Sequence, residues 1–174
     1  MADVNKNLWA PWRMEYIRSL SDEKDDVGCF LCHYWSTPQR DAENRVVFRG
    51  RTGFVVMNRF PYNNGHLLIA CAEHKPGYDE LSDAELLEMQ SLTREAIRLL
   101  RRTLNPQGFN IGVNLGRCAG AGLPDHMHAH VVPRWAGDTN YMAVIGEARV
   151  IPDGLDALYL ELRANLGPSG VGGG

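Results

Sequence analysis

Between residues 126 and 131 histidine occupies every second position, in the run His126-Met127-His128-Ala129-His130-Val131. That alternation constrains the chain more than any other feature. On a β-strand successive side chains point to opposite faces, so the three imidazoles share one face while Met127, Ala129 and Val131 pack on the other. The segment therefore reads as a strand continuing into Val132, with one face given to chemistry. Histidine has an ordinary pKa near neutral pH and serves as base, nucleophile or metal ligand. Half of the chain's six histidines fall in these five residues. Buried imidazoles each need a partner, so an inert core or surface role is a poor reading.

The rest of the chain supplies elements for this strand to join. Residues 45–49 and 54–58 read as two strands of a hairpin around Gly50-Arg51-Thr52-Gly53. Pro61-Tyr62-Asn63-Asn64-Gly65 is turn chemistry and introduces a third strand over 66–70. Ser82 and Glu85 form a capping box, after which Leu86, Met89, Leu92, Ala96 and Leu99 keep helical spacing as far as Asn105-Pro106. Strand character resumes over 109–114, a glycine-rich loop spans 116–122, and a short helix is expected over 155–166. Residues 33–40 read as a polar loop.

Strands grouped in hairpins around one long helix predict an α+β fold with a mainly antiparallel sheet and a short C-terminal helix. The expected organisation is an arm over 1–26, one domain over 27–166 and a disordered glycine-rich tail over 167–174. Trp9 and Trp12 make the arm a burial anchor for the body or for a partner subunit.

Composition narrows the class. With 44% apolar and 22% charged residues the chain is an ordinary globular protein, and a net charge of −3 gives no basic field for nucleic acid. No apolar run approaches the roughly 20 residues that span a bilayer. The first residues lack the apolar core of a signal peptide, so a cytoplasmic location is expected. Four cysteines then read as thiols or metal ligands rather than disulfides.

Two clusters carry the chemistry. The loop from Asn114 to Gly122 can bring backbone N–H groups close to an anion, and Arg117 and Arg134 flank the strand with charge suited to phosphate oxygens. No carboxylate cluster accompanies the histidines, which disfavours a two-metal site. A phosphate loop beside a histidine nucleophile points to nucleotidyl or phosphoryl transfer. A catalytic metal held jointly by His126, His128 and His130 stays open as the alternative. Separately, Cys29-x-x-Cys32 is half a zinc site. Cys71-Ala72-Glu73-His74 would complete it locally as a Cys3His set, and a redox dithiol is the other reading. His66 reads as a hydrogen-bonded structural histidine.

The run His126 to Val132 resembles the histidine-triad motif throughout. Asn58 through Gly65-His66-Leu67-Leu68-Ile69 and Asn110 through Asn114-Leu115-Gly116 resemble that family's strand and loop blocks. Val132-Pro133-Arg134-Trp135 with Gly137-Asp138-Thr139-Asn140 is similar to its bacterial branch of diadenosine tetraphosphate phosphorylases or hydrolases. The resemblance spans most of residues 8–152. It implies the HIT-like fold, a homodimer and a small nucleotide substrate. Carried over, it makes His128 the nucleophile that forms a nucleotidyl-histidine and sets His130 against phosphate oxygens. By the same resemblance Asn114 joins the phosphate pocket and Asn58 lies near the ribose, while Arg117, Gly120 and Gly122 are phosphate candidates from the chemistry of the loop itself. The resemblance also implies structural zinc on Cys29, Cys32, His74 and His126, with Cys71 left out. One departure stands out: members commonly place serine or glutamine shortly before the triad, where this chain has Gly120-Ala121-Gly122-Leu123. That keeps a nucleotide-binding sensor with little turnover as a further alternative.

Overall fold

The computed structural model describes residues 28–138, 151 and 153–167. The tryptophan arm lies outside the described residues, as does the glycine-rich tail after Gly167.

Five strands form one sheet: β1 (Val46–Arg49), β2 (Gly53–Met57), β3 (Leu67–Cys71), β4 (Gly108–Val113) and β5 (His128–Arg134). Their order is β1-β2-β3-β5-β4, and every neighbouring pair is antiparallel. Side-chain alternation divides the sheet into two faces. Leu67, Ile69, Cys71, Met127, Ala129 and Val131 pack on one side with the long helix. Leu68, Ala70, Phe54 and Val56 face the other side. Burying each large apolar side chain contributes about 1.5–3 kcal/mol. A one-residue slip of β5 would trade Ala129 and Val131 for histidines against the helix, so burial of the apolar set locks the histidine face outward.

The helices follow from local signals and from packing. Helix α1 (Phe30–Ser36) runs into the stretch expected as a polar loop, and the single turn α2 (Asp41–Asn44) follows that stretch. This is a correction with a clear cause. Helix α1 buries only Leu31 and so shows no apolar periodicity. Arg49 of β1 holds its end instead, donating to the carbonyls of Tyr34 and Trp35 at 2.6 and 2.9 Å and pairing with Asp41.

Helix α3 (Asp83–Leu104) begins at the expected capping box. The Ser82 side chain accepts from the Glu85 N–H, and the Glu85 carboxylate accepts from the Ser82 N–H. Asn105, at φ 46°, ends it in the left-handed region. Helix α4 (Leu155–Ala164) stops two residues earlier than the pattern suggested, where the Asn165 N–H turns back to the carbonyls of Glu161 and Leu162. It buries Leu158 and Leu162, and Arg163 donates to the Val47 carbonyl at 2.6 Å. No helix among the described residues is long and apolar enough to cross a membrane.

Two details place the histidines. Strand β5 starts at His128 rather than His126, because the Met127 N–H donates to the Lys75 carbonyl at 2.7 Å instead of joining the ladder. At the far end of β3, Gly65 takes φ +75°, and a Cβ there would come within 2.7 Å of Leu104. Glycine alone lets that turn deliver His66 to the start of the strand.

Candidate functional site

The three histidines of the alternating run are held by three different partners. His126, at the entry to β5, is fully buried. Its Nε2–H donates to the Cys71 carbonyl at 2.9 Å, which leaves Nδ1 directed at the cysteine pair. Cys29 precedes α1, and Cys32 lies one turn into it. The Cys29 Sγ is 3.1 Å and the Cys32 Sγ 3.4 Å from the His126 Nδ1, and the Cys32 Sγ is 3.3 Å from the His74 Nδ1. All four ligand atoms lie within 4.8 Å of one another.

The donor set fits zinc. Tetrahedral zinc with Zn–S about 2.3 Å and Zn–N about 2.0–2.1 Å puts donor atoms roughly 3.3–3.8 Å apart; the S···N separations here are near that, at 3.1–3.4 Å, in a quartet that spans no more than 4.8 Å. Burial pushes the Cys29 thiol up to about 11, so thiolates there need a compensating cation. Cys71 stands apart from the quartet. Its thiol donates to the Glu73 carbonyl at 3.0 Å and lies 3.7 Å from the Nε2 edge of His126, the edge opposite the cysteines. The locally tempting Cys3His set is therefore not what the fold assembles. His33 is also outside the quartet, its ring beside that of Tyr34.

His128 is buried in the centre of the sheet, opposite Ala70 of β3. Its Nδ1–H donates to the His126 carbonyl at 2.9 Å, so Nε2 is the nitrogen with the lone pair. Burial holds its pKa below the ordinary histidine value, so the ring is neutral at pH 7 and nucleophilic.

His130 lies between Leu68 of β3 and Gly112 of β4. Its state is set by a chain of donors. The Tyr62 N–H donates to the His66 Nδ1 at 3.0 Å, which places the His66 proton on Nε2. That N–H donates to the His130 Nδ1 at 2.9 Å, so His130 carries its own proton on Nε2. Burial, with His128 beside it, pushes His130 down to about 4. At neutral pH it is a hydrogen-bond donor, not an acid. The Tyr62 ring lies against both imidazoles, 4.7 Å from His66 and 5.7 Å from His130.

His66 is the hydrogen-bonded histidine expected, and one of its partners is a histidine of the run. The signal was present: His66, Leu68 and Ala70 share one face by period two, the face that β5 gives to its histidines. What the sequence lacked was the register between the two strands.

The remaining candidates are placed as follows. Asn58 stands at the His66 end, with its Oδ1 accepting from the Phe60 N–H at 2.9 Å and its Nδ2 donating to the His66 Nδ1 at 3.2 Å. Asn114 follows β4 and lines a hollow of about 200 Å³ with Tyr62, Asn110, Gly112, His130 and Val132. The loop expected to present its amides is closed on itself. The N–H groups of Ala119 and Ala121 donate to the Gly116 carbonyl, and that of Gly120 donates to the Arg117 carbonyl. Arg117 and Gly122 are exposed. Arg134 is not available to a phosphate as expected, because both prongs of its guanidinium are bound to Asp138 and a third N–H goes to Asn110. Among the described residues the His126, His128 and His130 nitrogens do not gather into a group that could hold one metal; Cys29, Cys32, His74 and His126 do.

These arrangements match known proteins. A family model described as HIT domain matches residues 39–137. The chain is 39% identical over 153 residues to the AP-4-A phosphorylase of Mycobacterium tuberculosis, covering 86% of this chain and 78% of the relative. It is 26% identical over 124 residues to the asymmetrical bis(5'-nucleosyl)-tetraphosphatase of Schizosaccharomyces pombe, covering 71% of this chain and 60% of the relative. A Zn-bound histidine triad family protein from Mycobacterium smegmatis superposes with a TM-score of 0.64 at 25% identity, over 79% of this chain and 92% of that one. Motif, sheet and relatives agree, and the chain belongs to the histidine-triad (HIT) family.

Proposed function

We propose that this protein is a nucleotidyl transferase or hydrolase acting at the α-phosphate of a dinucleoside polyphosphate such as diadenosine tetraphosphate, through an AMP-histidine on His128. One observation carries the reading: the His126 carbonyl accepts a hydrogen bond from the His128 Nδ1–H and leaves a neutral, buried ring with its lone pair on Nε2. The named activities of the Mycobacterium and Schizosaccharomyces relatives support the substrate class.

In the first step the His128 Nε2 attacks the α-phosphorus, a P–N bond forms, and the P–O bond to the departing nucleotide breaks. The electron pair leaves with that oxygen as a phosphate anion, so no proton is required. The Nε2–H of His130 donates a hydrogen bond to the charge that develops there. His128 becomes cationic, and its Nδ1–H bond to the His126 carbonyl strengthens. In the second step water or inorganic phosphate attacks the phosphorus and the P–N bond breaks; its electron pair returns to Nε2 and restores the neutral ring, and when water attacks, its proton passes to solvent. Asn114, Arg117, Gly120 and Gly122 complete the phosphate pocket. Asn58 addresses the ribose while its amide supports His66.

Cys29, Cys32, His74 and His126 would hold zinc. When bound, the metal supplies a structural constraint with four protein ligands and no open position for substrate. The acting unit is the domain over 27–166, as a cytoplasmic homodimer. Among the described residues β4 is an edge strand, with Ile111 exposed, and that edge is suited to pairing with a second copy.

Product analysis tests the reading. With diadenosine tetraphosphate the protein should release ATP and AMP in water alone, or ATP and ADP when inorganic phosphate resolves the intermediate. Intact substrate under both conditions would overturn it.

A further inference from the structure

Gly112 has no reason within the protein to be glycine. It pairs with His130 across β4 and β5, its backbone is outside the left-handed region, and a Cβ built there meets nothing within 4 Å. Neither conformation nor packing asks for the missing side chain, and glycine weakens a strand interior. Where a strand keeps one without such need, a ligand or another backbone commonly comes close. Here the vacant space is the hollow beside His130.

The chemistry of that hollow is specific. Asn110 and Asn114 offer neutral amides, Tyr62 an aromatic ring and Val132 an aliphatic wall. Among the described residues that line it there is no lysine or arginine. A cavity of about 200 Å³ is smaller than the ~300–1,000 Å³ of drug-sized sites, and suits a nucleobase with part of its sugar rather than a polyphosphate. It adjoins His130, the donor to the departing oxygen, and His128 is not among its walls. The departing group leaves from this side.

We infer that the hollow beyond His130, floored by Gly112, receives the nucleoside of the departing nucleotide. Glycine at 112 is then a specificity determinant that favours dinucleoside polyphosphates over mononucleotides. The inference rests on the nucleotidyl-transfer reading above and adds the second half of the substrate to it.

Two substrates separate the effects. Diadenosine tetraphosphate and adenosine 5'-tetraphosphate offer the same AMP half and the same chain of phosphates, and differ only in the second adenosine. The experiment measures kcat/KM for both with wild type and Gly112→Val, together with AMP adduct formation by rapid-quench mass spectrometry. A Cβ at 112 meets nothing within 4 Å, and a thermal melt verifies that the variant keeps the fold. Wild type should prefer the dinucleotide, and the ratio of the two kcat/KM values should fall about tenfold or more in the variant. An AMP adduct with a ratio that is the same in both proteins would overturn this inference alone. No AMP adduct from either substrate in wild type would overturn the nucleotidyl-transfer reading and this inference with it.

Discussion

The two ends of the histidine run are built to opposite specifications. At the His126 end every ring nitrogen is committed: Nε2–H to the Cys71 carbonyl and Nδ1 to the cysteine pair, with the ring fully buried. At the His130 end the ring is half-buried, stacked under Tyr62, and opens on a hollow floored by glycine. His128 sits between them and draws on the first end, through the His126 carbonyl, to be ready for what arrives at the second. The same residue type at three alternate positions thus takes three roles, and the backbone or side-chain partner of each Nδ1 decides which. In the proposed function the closed end anchors the strand and the donor facing open space serves turnover.

The largest effect expected is loss of the central residue. His128→Ala should lower turnover of diadenosine tetraphosphate by on the order of 10⁴-fold or more, because it removes the nucleophile, while the metal content measured by mass spectrometry stays at wild-type level. Retained turnover would mean that the middle of the strand is not where the chemistry lies.

Breaking the anchoring end should act on stability first. Cys32→Ser removes one of four ligands, and its melting temperature should fall by roughly 10 °C, corresponding to about 3 kcal/mol for a chain of this length. Wild type treated with a chelator should melt at about the same temperature as the variant. If the two differ widely, the quartet is not the site that the metal stabilises.

The open end should respond in rate and not in stability. His66→Phe removes the donor that fixes the proton on the His130 Nε2. It should cost about 10²-fold in kcat with a small change in KM, as loss of a transition-state donor does. A change confined to KM would make His66 a binding residue instead.

The smallest effect lies outside both ends, where helix α3 meets the His74 loop. Lys75 bonds the Glu85 carboxylate at 2.8 Å, and Ser82 donates to it through its hydroxyl and its N–H. Together these hold Glu85 at about 2, below its ordinary value of 4.5. A depressed carboxylate stabilises the fold fully above its ordinary pKa and loses that contribution as pH falls toward its folded value. Glu85→Gln should therefore be about 1–2 kcal/mol less stable than wild type at neutral pH. Urea denaturation at a series of pH values should show that gap closing progressively below pH 4.5; a gap independent of pH would place the stabilisation elsewhere.

What was legible in the chain followed from periodicity. Alternation at His126, His128 and His130 predicted the strand face, and Ser82 with Glu85 marked the start of α3. The antiparallel α+β arrangement followed from the hairpins. What was not legible had no periodic trace. Helix α1 buries one residue and is closed by Arg49 from a distant strand, so nothing local announces it. The roles of His66 and Gly112 depend on which residues face each other across β3, β5 and β4, and register is a property of the folded sheet. Arg134 looked like a phosphate ligand because its partner Asp138 is recognisable only once the turn after β5 is formed.

The most direct test is intact-protein mass spectrometry after rapid quench with diadenosine tetraphosphate. Wild type should carry a transient increase equal to one AMP moiety, absent from His128→Ala and shortened in lifetime by whichever nucleophile, water or phosphate, resolves it. Turnover by wild type with no adduct at any quench time, and equal turnover by the variant, would contradict covalent catalysis by His128.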